Sequence, residues 1–366
     1  QMCIRDRYIF NMYYAEKGGA RLTLKEIAAR AGVSVSTVSR IINSPDDSFA
    51  RKEVRDHVWA IIKETGYTPN QNARALKFGK DPSQEPSAGA LACILGRART
   101  IEDNPFFAQL ARVIEQRALE QGYPVRHSYS VFDVKISAMP EKIESFKADG
   151  AIILGRFSGN YIGFLEQQYK NLIYVGRNVI SADCDQIICD GYEATQIAMN
   201  YLIACGHRKI GYIGEISNEV RYQAYLDTLR ENGLEYSRGL VSDCLQNGVG
   251  GYQGAERLLK TASPLPTAVF CATDIAAIAA LRRFTEAKIK VPEQLSLISM
   301  DNIELSGYVS PMLTTVGMPI AEMGNMAVQT LIDRIQKRHK LPMKIFLPNK
   351  LAIRESVVNL NEGMYI

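Results

Sequence analysis

From residue 90 onward the chain alternates between short apolar runs and amphipathic stretches of helix length. The runs fall at 90–95, 151–154, 172–175, 186–189, 210–213, 268–271 and 295–299. Apolar runs this short, bounded by turn residues, have the length of buried strands. Strands alternating with helices argue for parallel sheets. This one pattern predicts an α/β fold with doubly wound sheets. The stretch 90–366 is long for a single sheet and predicts two similar lobes, although no close sequence repeat marks them.

The N-terminal part has a different pattern. Helical periodicity runs over 24–31, 35–42 and 52–65, with a short further helix near 70–78. The following GKDPSQEPSAG at 79–89 is polar, carries two prolines and reads as a linker. The predicted organisation is a leader at 1–20, taken as a disordered arm or a mis-called start; an all-α helix-turn-helix domain at 21–69; a hinge helix and linker at 70–89; and a two-lobed domain at 90–366. Charge follows the same division. Residues 21–80 hold eleven Lys or Arg against six Asp or Glu, within a chain whose net charge is +4. A small basic module ahead of a near-neutral large one suits contact with a polyanion at one end only.

The first helix has a clear start signal. Thr23 and Glu26 have capping-box spacing, in which the Thr hydroxyl accepts from a free amide and the Glu side chain reaches back. Ile27, Ala28 and Ala31 then share one face. Gly32 permits a backbone turn that a β-carbon would oppose. Ser34 can cap a second helix whose buried stripe is Val38, Ile41 and Ile42. Helix, tight Gly turn and helix is the geometry that lays a second helix in the major groove of DNA. The outer face of that helix carries Val35, Ser36, Thr37, Ser39 and Arg40. Short side chains admit close approach to base edges, and Arg40 can form two parallel hydrogen bonds with guanine. Further on, in YTPNQNARALK at 67–77, Pro69 can start a helix too short and polar to bury Leu76. Leu76 could wedge between minor-groove base steps while Arg74 and Lys77 hold phosphates. The competing reading is that Leu76 packs on the next domain.

The strings LTLKEIAARAGVSVSTVSRIIN and ETGYTPNQNARALK, in this order and at this spacing, resemble the DNA-binding headpiece of the lactose-repressor family of bacterial regulators. The resemblance implies that Thr23, Leu24, Ser34, Val35, Ser36, Thr37, Ser39, Arg40 and Asn43 meet operator DNA. It further implies that a hinge helix from Asn70 to Lys77 inserts Ala73 and Leu76 into the minor groove across a dimer axis. Val54 departs from the family pattern, which usually has a phosphate-contacting Thr there. Two extra residues lie near Asp46 and Asp47, an acidic pair that argues against DNA contact in that loop.

The resemblance extends through NPFF at 104–107, CGHRKIGYI at 205–213, LISMDN at 297–302 and PMLTTV at 311–316. It implies the fold of periplasmic sugar-binding proteins, two doubly wound lobes with a ligand in the cleft. Open α/β sheets bind ligands beyond the carboxyl ends of their strands, which agrees. Sugars need hydrogen-bonding groups, often charged, and an apolar platform. The implied effector contacts are Arg221 as anchor, Asp301 as the matching carboxylate, Thr273 (in place of a more usual Asn) and Asp274, Phe106 and Phe107 as platform, and Arg97 and Arg177 after strands of the first lobe. Asp274 has a competing role at a helix start, and Phe107 one in the core. Gly176 stands where relatives often carry Asp, which leaves one acceptor missing or moved. The stretch IFLPNKL at 345–351 and Asp103-Asn104-Pro105 look most like regulators of galactose and β-galactosidase operons.

The expected function is therefore a repressor that binds a near-palindromic operator as a homodimer in the cytoplasm and is released by a small sugar. No cofactor, metal or catalytic group is expected. The chain has no G-x-x-x-x-G-K-[ST] loop and no G-x-S-x-G elbow, which argues against a fused sugar kinase or hydrolase. Its four histidines lack metal-ligand spacing, and none of its seven cysteines lie in a C-x-x-C pair. A transport protein is opposed by the headpiece and by the lack of a signal-peptide pattern. A global catabolite regulator with a phosphoprotein co-effector would share fold and operator type, and stays open at this point.

Overall fold

The computed structural model describes residues 23–43, 50–65, 89–96, 104–132 and 148–361. The chain divides into two compact units, 1–86 and 87–366.

The described part of the first unit is three helices: α1 (Leu24–Ala31), α2 (Val35–Asn43) and α3 (Lys52–Thr65). The capping box forms in full. The Thr23 amide and hydroxyl donate to Glu26 Oε2 at 2.6 and 2.8 Å, and the Glu26 amide donates to Thr23 Oγ1 at 3.4 Å. These bonds hold the Glu26 carboxyl below its ordinary range. Gly32 ends α1 at φ 63°, in the left-handed region a side chain would disfavour. Ser34 Oγ accepts from the Thr37 amide at 3.0 Å and so caps α2. Ile27, Ala28, Val38, Ile41, Val58 and Ile61 form the core, with Ile42 and Val54 packed at its edge. Val54, the departure from the family's Thr, thus contributes packing. A core this small loses a large share of its stability with any one aliphatic, each worth about 1.5–3 kcal/mol.

The described part of the second unit holds two six-stranded sheets. The first contains β1 (Leu91–Leu95), β2 (Val125–Ser130), β3 (Gly150–Leu154), β4 (Leu172–Gly176), β5 (Asp185–Ile188) and β11 (Lys344–Phe346), in the order β11-β5-β4-β3-β1-β2 and all parallel. The second contains β6 (Ile210–Gly214), β7 (Val241–Asp243), β8 (Ala268–Cys271), β9 (Ser296–Asp301), β10 (Thr314–Gly317) and β12 (Lys350–Ala352), in the order β12-β10-β9-β8-β6-β7. Only β12 is antiparallel, against β10. In each sheet the first strand lies inside the second and beside the third. The strand order therefore reverses there, opening a crevice at the carboxyl ends.

Helices α4 (Pro105–Glu120) and α5 (Gly159–Gln168) belong to the first lobe. Helices α7 (Val220–Glu231), α8 (Gly248–Thr261) and α9 (Asp274–Glu286) belong to the second. The other two helices among the described residues exchange lobes. Helix α6 (Gly191–Ala204) follows β5 of the first sheet but packs on β8, β9, β10 and β12 of the second. Helix α10 (Ile320–Ile335) follows β10 of the second sheet but packs on α4 and on β3, β4 and β5 of the first. One buried apolar cluster consequently runs through both lobes, from Leu91 and Phe106 to Tyr212 and Ile298.

Two polar ties fix the crossovers. Buried Asp185 accepts from Arg334 Nε at 2.6 Å and from the Met343 amide at 2.8 Å, which seats β11. His207, in the CGHRKIGYI string, lies between Thr267 Oγ1 at 3.0 Å and the Val358 carbonyl at 3.1 Å. Burial lowers its pKa, so the neutral ring ties the C-terminal stretch to the second lobe. The cysteines at 93, 184, 189, 205, 244 and 271 are free thiols.

Candidate functional site

On the first unit, the outer face of α2 carries the residues the sequence singled out. Ser34, Val35, Ser36 and Arg40 are exposed, and Thr37 and Ser39 are half-buried. Val35 is 41% exposed, an aliphatic that the small core leaves outside. The hydroxyls of Ser36 and Thr37 lie 2.7 and 2.8 Å from Ser34 Oγ, so the cap also sets their positions. Thr23 is exposed at the start of α1, and Leu24 packs partly against the core. Asn43 closes α2, but its side chain lies outside the described residues, as do Asn70, Ala73, Arg74, Leu76 and Lys77.

On the second unit, a cleft of about 130 Å³ opens at the carboxyl ends of the sheets. The first lobe lines it with Phe107 from α4, Gly155, Arg156 and Phe157 after β3, Tyr174 from β4, and Arg177, Asn178 and Ile180 after β4. The second lobe supplies Asn218, Glu219, Val220 and Arg221 at the start of α7. This volume is below the roughly 300–1,000 Å³ of ordinary small-molecule pockets. Arginines bridging the lobes account for the closure. Arg177 pairs with Asp301, and its guanidinium lies 4.4 Å from the centroid of Phe106. Arg156 reaches Glu215 at 3.5 Å and Glu219 at 3.8 Å, and donates to the carbonyls of Ser217 and Asn218.

Arg221 lines the cleft but is only 1% exposed. Its Nε and one terminal nitrogen donate to the two Glu219 carboxylate oxygens at 2.7 and 2.8 Å. That nitrogen also donates to Gln246, and the other donates to the Ala272 carbonyl at 2.7 Å. Burial works to lower the pKa of this guanidinium, and the adjacent Glu219 charge reverses the effect, so the cation is retained.

Four expected effector contacts do not line the cleft. Asp301 is buried and pairs with Arg177. Phe106 is fully buried, and its ring faces Arg177. Thr273 caps α9, its hydroxyl accepting from the Ala276 amide at 3.3 Å. Asp274 is fully buried and accepts from Ser299, from Thr315 Oγ1 at 2.6 Å and from the Ile303 amide at 2.8 Å. It thereby fastens the turn after β9, where Asp301 has φ 119° and Asn302 φ 52°. Such backbone is strained for residues with a β-carbon and persists only where its surroundings fix it. Burial first, then the Asp301 charge, raises the Asp274 carboxyl to about 7. Arg97 lies outside the described residues.

Sequence reasoning missed Arg156, Tyr174, Asn178, Asn218 and Glu219. The space beside Gly176 explains one of them. A β-carbon at 176 would stand 1.9 Å from Tyr174 Oη, so the tyrosine occupies the ground an Asp side chain would need. Its hydroxyl donates to Asn178 at 3.4 Å.

Among the described residues no helix is long and apolar enough to cross a membrane, and no cluster has the makings of a metal site. The model for bacterial regulatory proteins of the lacI family matches residues 23–70, and that for a periplasmic binding protein-like domain matches 199–357. A model of sigma-70 region 4 matches 1–44, overlapping the first of these. The transcriptional repressor PurR of Yersinia enterocolitica is 32% identical over 92% of this chain and 97% of its own length. A solved complex of the transcriptional regulator CelR with cellobiose is 26% identical, with a TM-score of 0.68 over 92% of this chain and 100% of that one. A LacI family regulator from Enterococcus faecium with bound ribose is 27% identical, with a TM-score of 0.65 over 74% of this chain and 99% of that one. The chain belongs to the LacI family of bacterial regulatory proteins and is a DNA-binding transcriptional repressor.

Proposed function

We propose that the protein grips a near-palindromic operator as a homodimer in the cytoplasm and releases it when a small sugar, of the galactoside type, enters the cleft. The observation that carries this reading is the way the lobes meet. Arg177 and Arg156 of the first lobe hold Asp301 and Glu215 of the second. A ligand whose hydroxyls replace those bonds changes the angle between the lobes, and it shifts the equilibrium by its differential affinity for the two arrangements. The cellobiose and ribose bound to the two solved relatives support a saccharide. The galactoside rests on the likeness of residues 345–351 and 103–105 to galactose-operon regulators.

At the DNA end, Ser34, Val35, Ser36, Thr37, Ser39 and Arg40 read the major groove, with Thr23, Leu24 and Asn43 beside them. Asn70, Ala73, Arg74, Leu76 and Lys77 form the hinge that enters the minor groove. In the cleft, Phe107, Arg177 and Arg221 meet the sugar, and Asp301, paired with Arg177, is reached when that bond opens. Asp274 acts by holding the turn that carries Asp301.

A mobility shift on the protein's own upstream region, repeated across galactosides, glucosides and ribose, tests this. One galactoside should weaken operator binding about a hundredfold, roughly 2.8 kcal/mol at about 1.4 kcal/mol per factor of ten. Release by a different sugar would keep the mechanism and remove the galactoside. Indifference to every sugar would remove the inducer reading.

A further inference from the structure

The anchor arginine of the cleft already holds an anion. Glu219, 4% exposed at its side chain, lies against the Arg221 guanidinium through both carboxylate oxygens. Gln246 strengthens the arrangement by donating to Glu219 Oε2 at 3.0 Å. The edge of Arg221 that would bind a phosphate or carboxylate in two-point fashion is therefore covered by the chain's own carboxylate. Displacing it would strip buried Glu219 of its bidentate cation and leave only Arg156 at 3.8 Å, which is unfavourable.

The pairing extends to the other described arginines of the cleft. Arg156 reaches Glu215 and Glu219, and Arg177 pairs with Asp301, so among the described residues each lining guanidinium already has a carboxylate partner. An added anion would meet cations already neutralised and carboxylates that repel it. An uncharged polyol is different, because each hydroxyl both donates and accepts and so can bond to carboxylate and guanidinium alike.

We propose that Glu219 is the specificity-determining residue of the cleft: by occupying Arg221, it sets the site for uncharged ligands and against phosphorylated or carboxylated ones. This rests on the cleft being the effector site and narrows what enters it. Removing the negative charge while keeping the side-chain shape should open the guanidinium to anions.

The test uses calorimetric titration of the full chain with inorganic phosphate and with galactose 6-phosphate beside galactose, at matched ionic strength. The wild type should show no saturable phosphate site in the cleft and should bind galactose 6-phosphate no better than galactose. Glu219→Gln should gain phosphate affinity by about tenfold or more, the scale of a charge-assisted bidentate pair. The gain should vanish in Glu219→Gln/Arg221→Gln, which separates the cleft from the basic headpiece. Glu219→Asp should retain the wild-type preference. A wild type that favours galactose 6-phosphate over galactose, or a Glu219→Gln protein with unchanged phosphate affinity, overturns the proposal. Should Glu219→Gln fail to fold, the wild-type and Glu219→Asp comparisons still decide it. Failure of the sugar reading looks different: neither galactose nor any other sugar would alter operator binding, whatever the phosphate result.

Discussion

The α2 face and the cleft present their polar groups in opposite ways. On α2, Ser36 and Arg40 stand exposed on a helix fixed by one cap and six buried residues. At the cleft, Arg177 and Arg221, and Asp301 as the partner of Arg177, are almost wholly buried and bonded to other side chains of the same unit. The first surface can meet a rigid partner as it stands. The second must exchange internal bonds for ligand bonds, so occupancy and lobe geometry are coupled. Binding at a self-satisfied site can act as a switch because something in the protein has to let go.

The largest effect that would sharpen this contrast comes from Arg221→Ala. It removes the bidentate partner of buried Glu219, leaving it only Arg156 at 3.8 Å, and should destabilise the second unit by about 3–5 kcal/mol in urea denaturation. A loss below about 1 kcal/mol, the range of exposed ion pairs, would mean the cleft is as solvated as the α2 face.

Arg40→Ala should cost about 1–3 kcal/mol of operator affinity while leaving the denaturation midpoint of the second unit unmoved. Equal weakening on operator and scrambled duplex would show a phosphate contact in place of a base contact.

A further effect is a pH slope. The Asp274 carboxyl is raised from 3.8 to about 7, chiefly by burial, so the folded protein keeps a proton that the unfolded chain releases. The stability this provides is complete below about 3.8 and is lost as pH rises toward 7, by at most about 1.4 kcal/mol per pH unit. Asp274→Asn should flatten unfolding free energy across that window. An unchanged slope would place the titration elsewhere.

The same contrast explains what could be read from the chain alone. Helix α1 was legible residue by residue because its signals are local: Thr23 and Glu26 at the start, Gly32 at the end. The apolar strands β3, β4, β6 and β8 were legible because both their faces are buried. Strand β2 was missed because VRHSYS lies at a sheet edge and alternates in exposure. Strand β10 was missed because its buried threonines look like surface, yet Thr315 serves Asp274. Strands β11 and β12 are three residues each and carry too little pattern. In the cleft, Arg221 was placed by its position in a motif and Arg177 by following a strand, while Asp301, read as the matching carboxylate, pairs with Arg177. Glu219 was not found, although it stands two residues from Arg221, because nothing in its spacing says that the carboxylate turns inward. Thr273 and Asp274 were read as ligand contacts because they follow a strand; that position equally serves to cap α9 and to hold the strained turn at Asp301.

The most direct measurement is fluorescence anisotropy of the full chain on its upstream operator and on a scrambled duplex of equal length, across a salt series. Operator binding should exceed scrambled binding by at least about a thousandfold near physiological salt, with both falling as salt rises. Equal affinity for the two duplexes at every salt concentration would contradict the assignment of base reading to the α2 face.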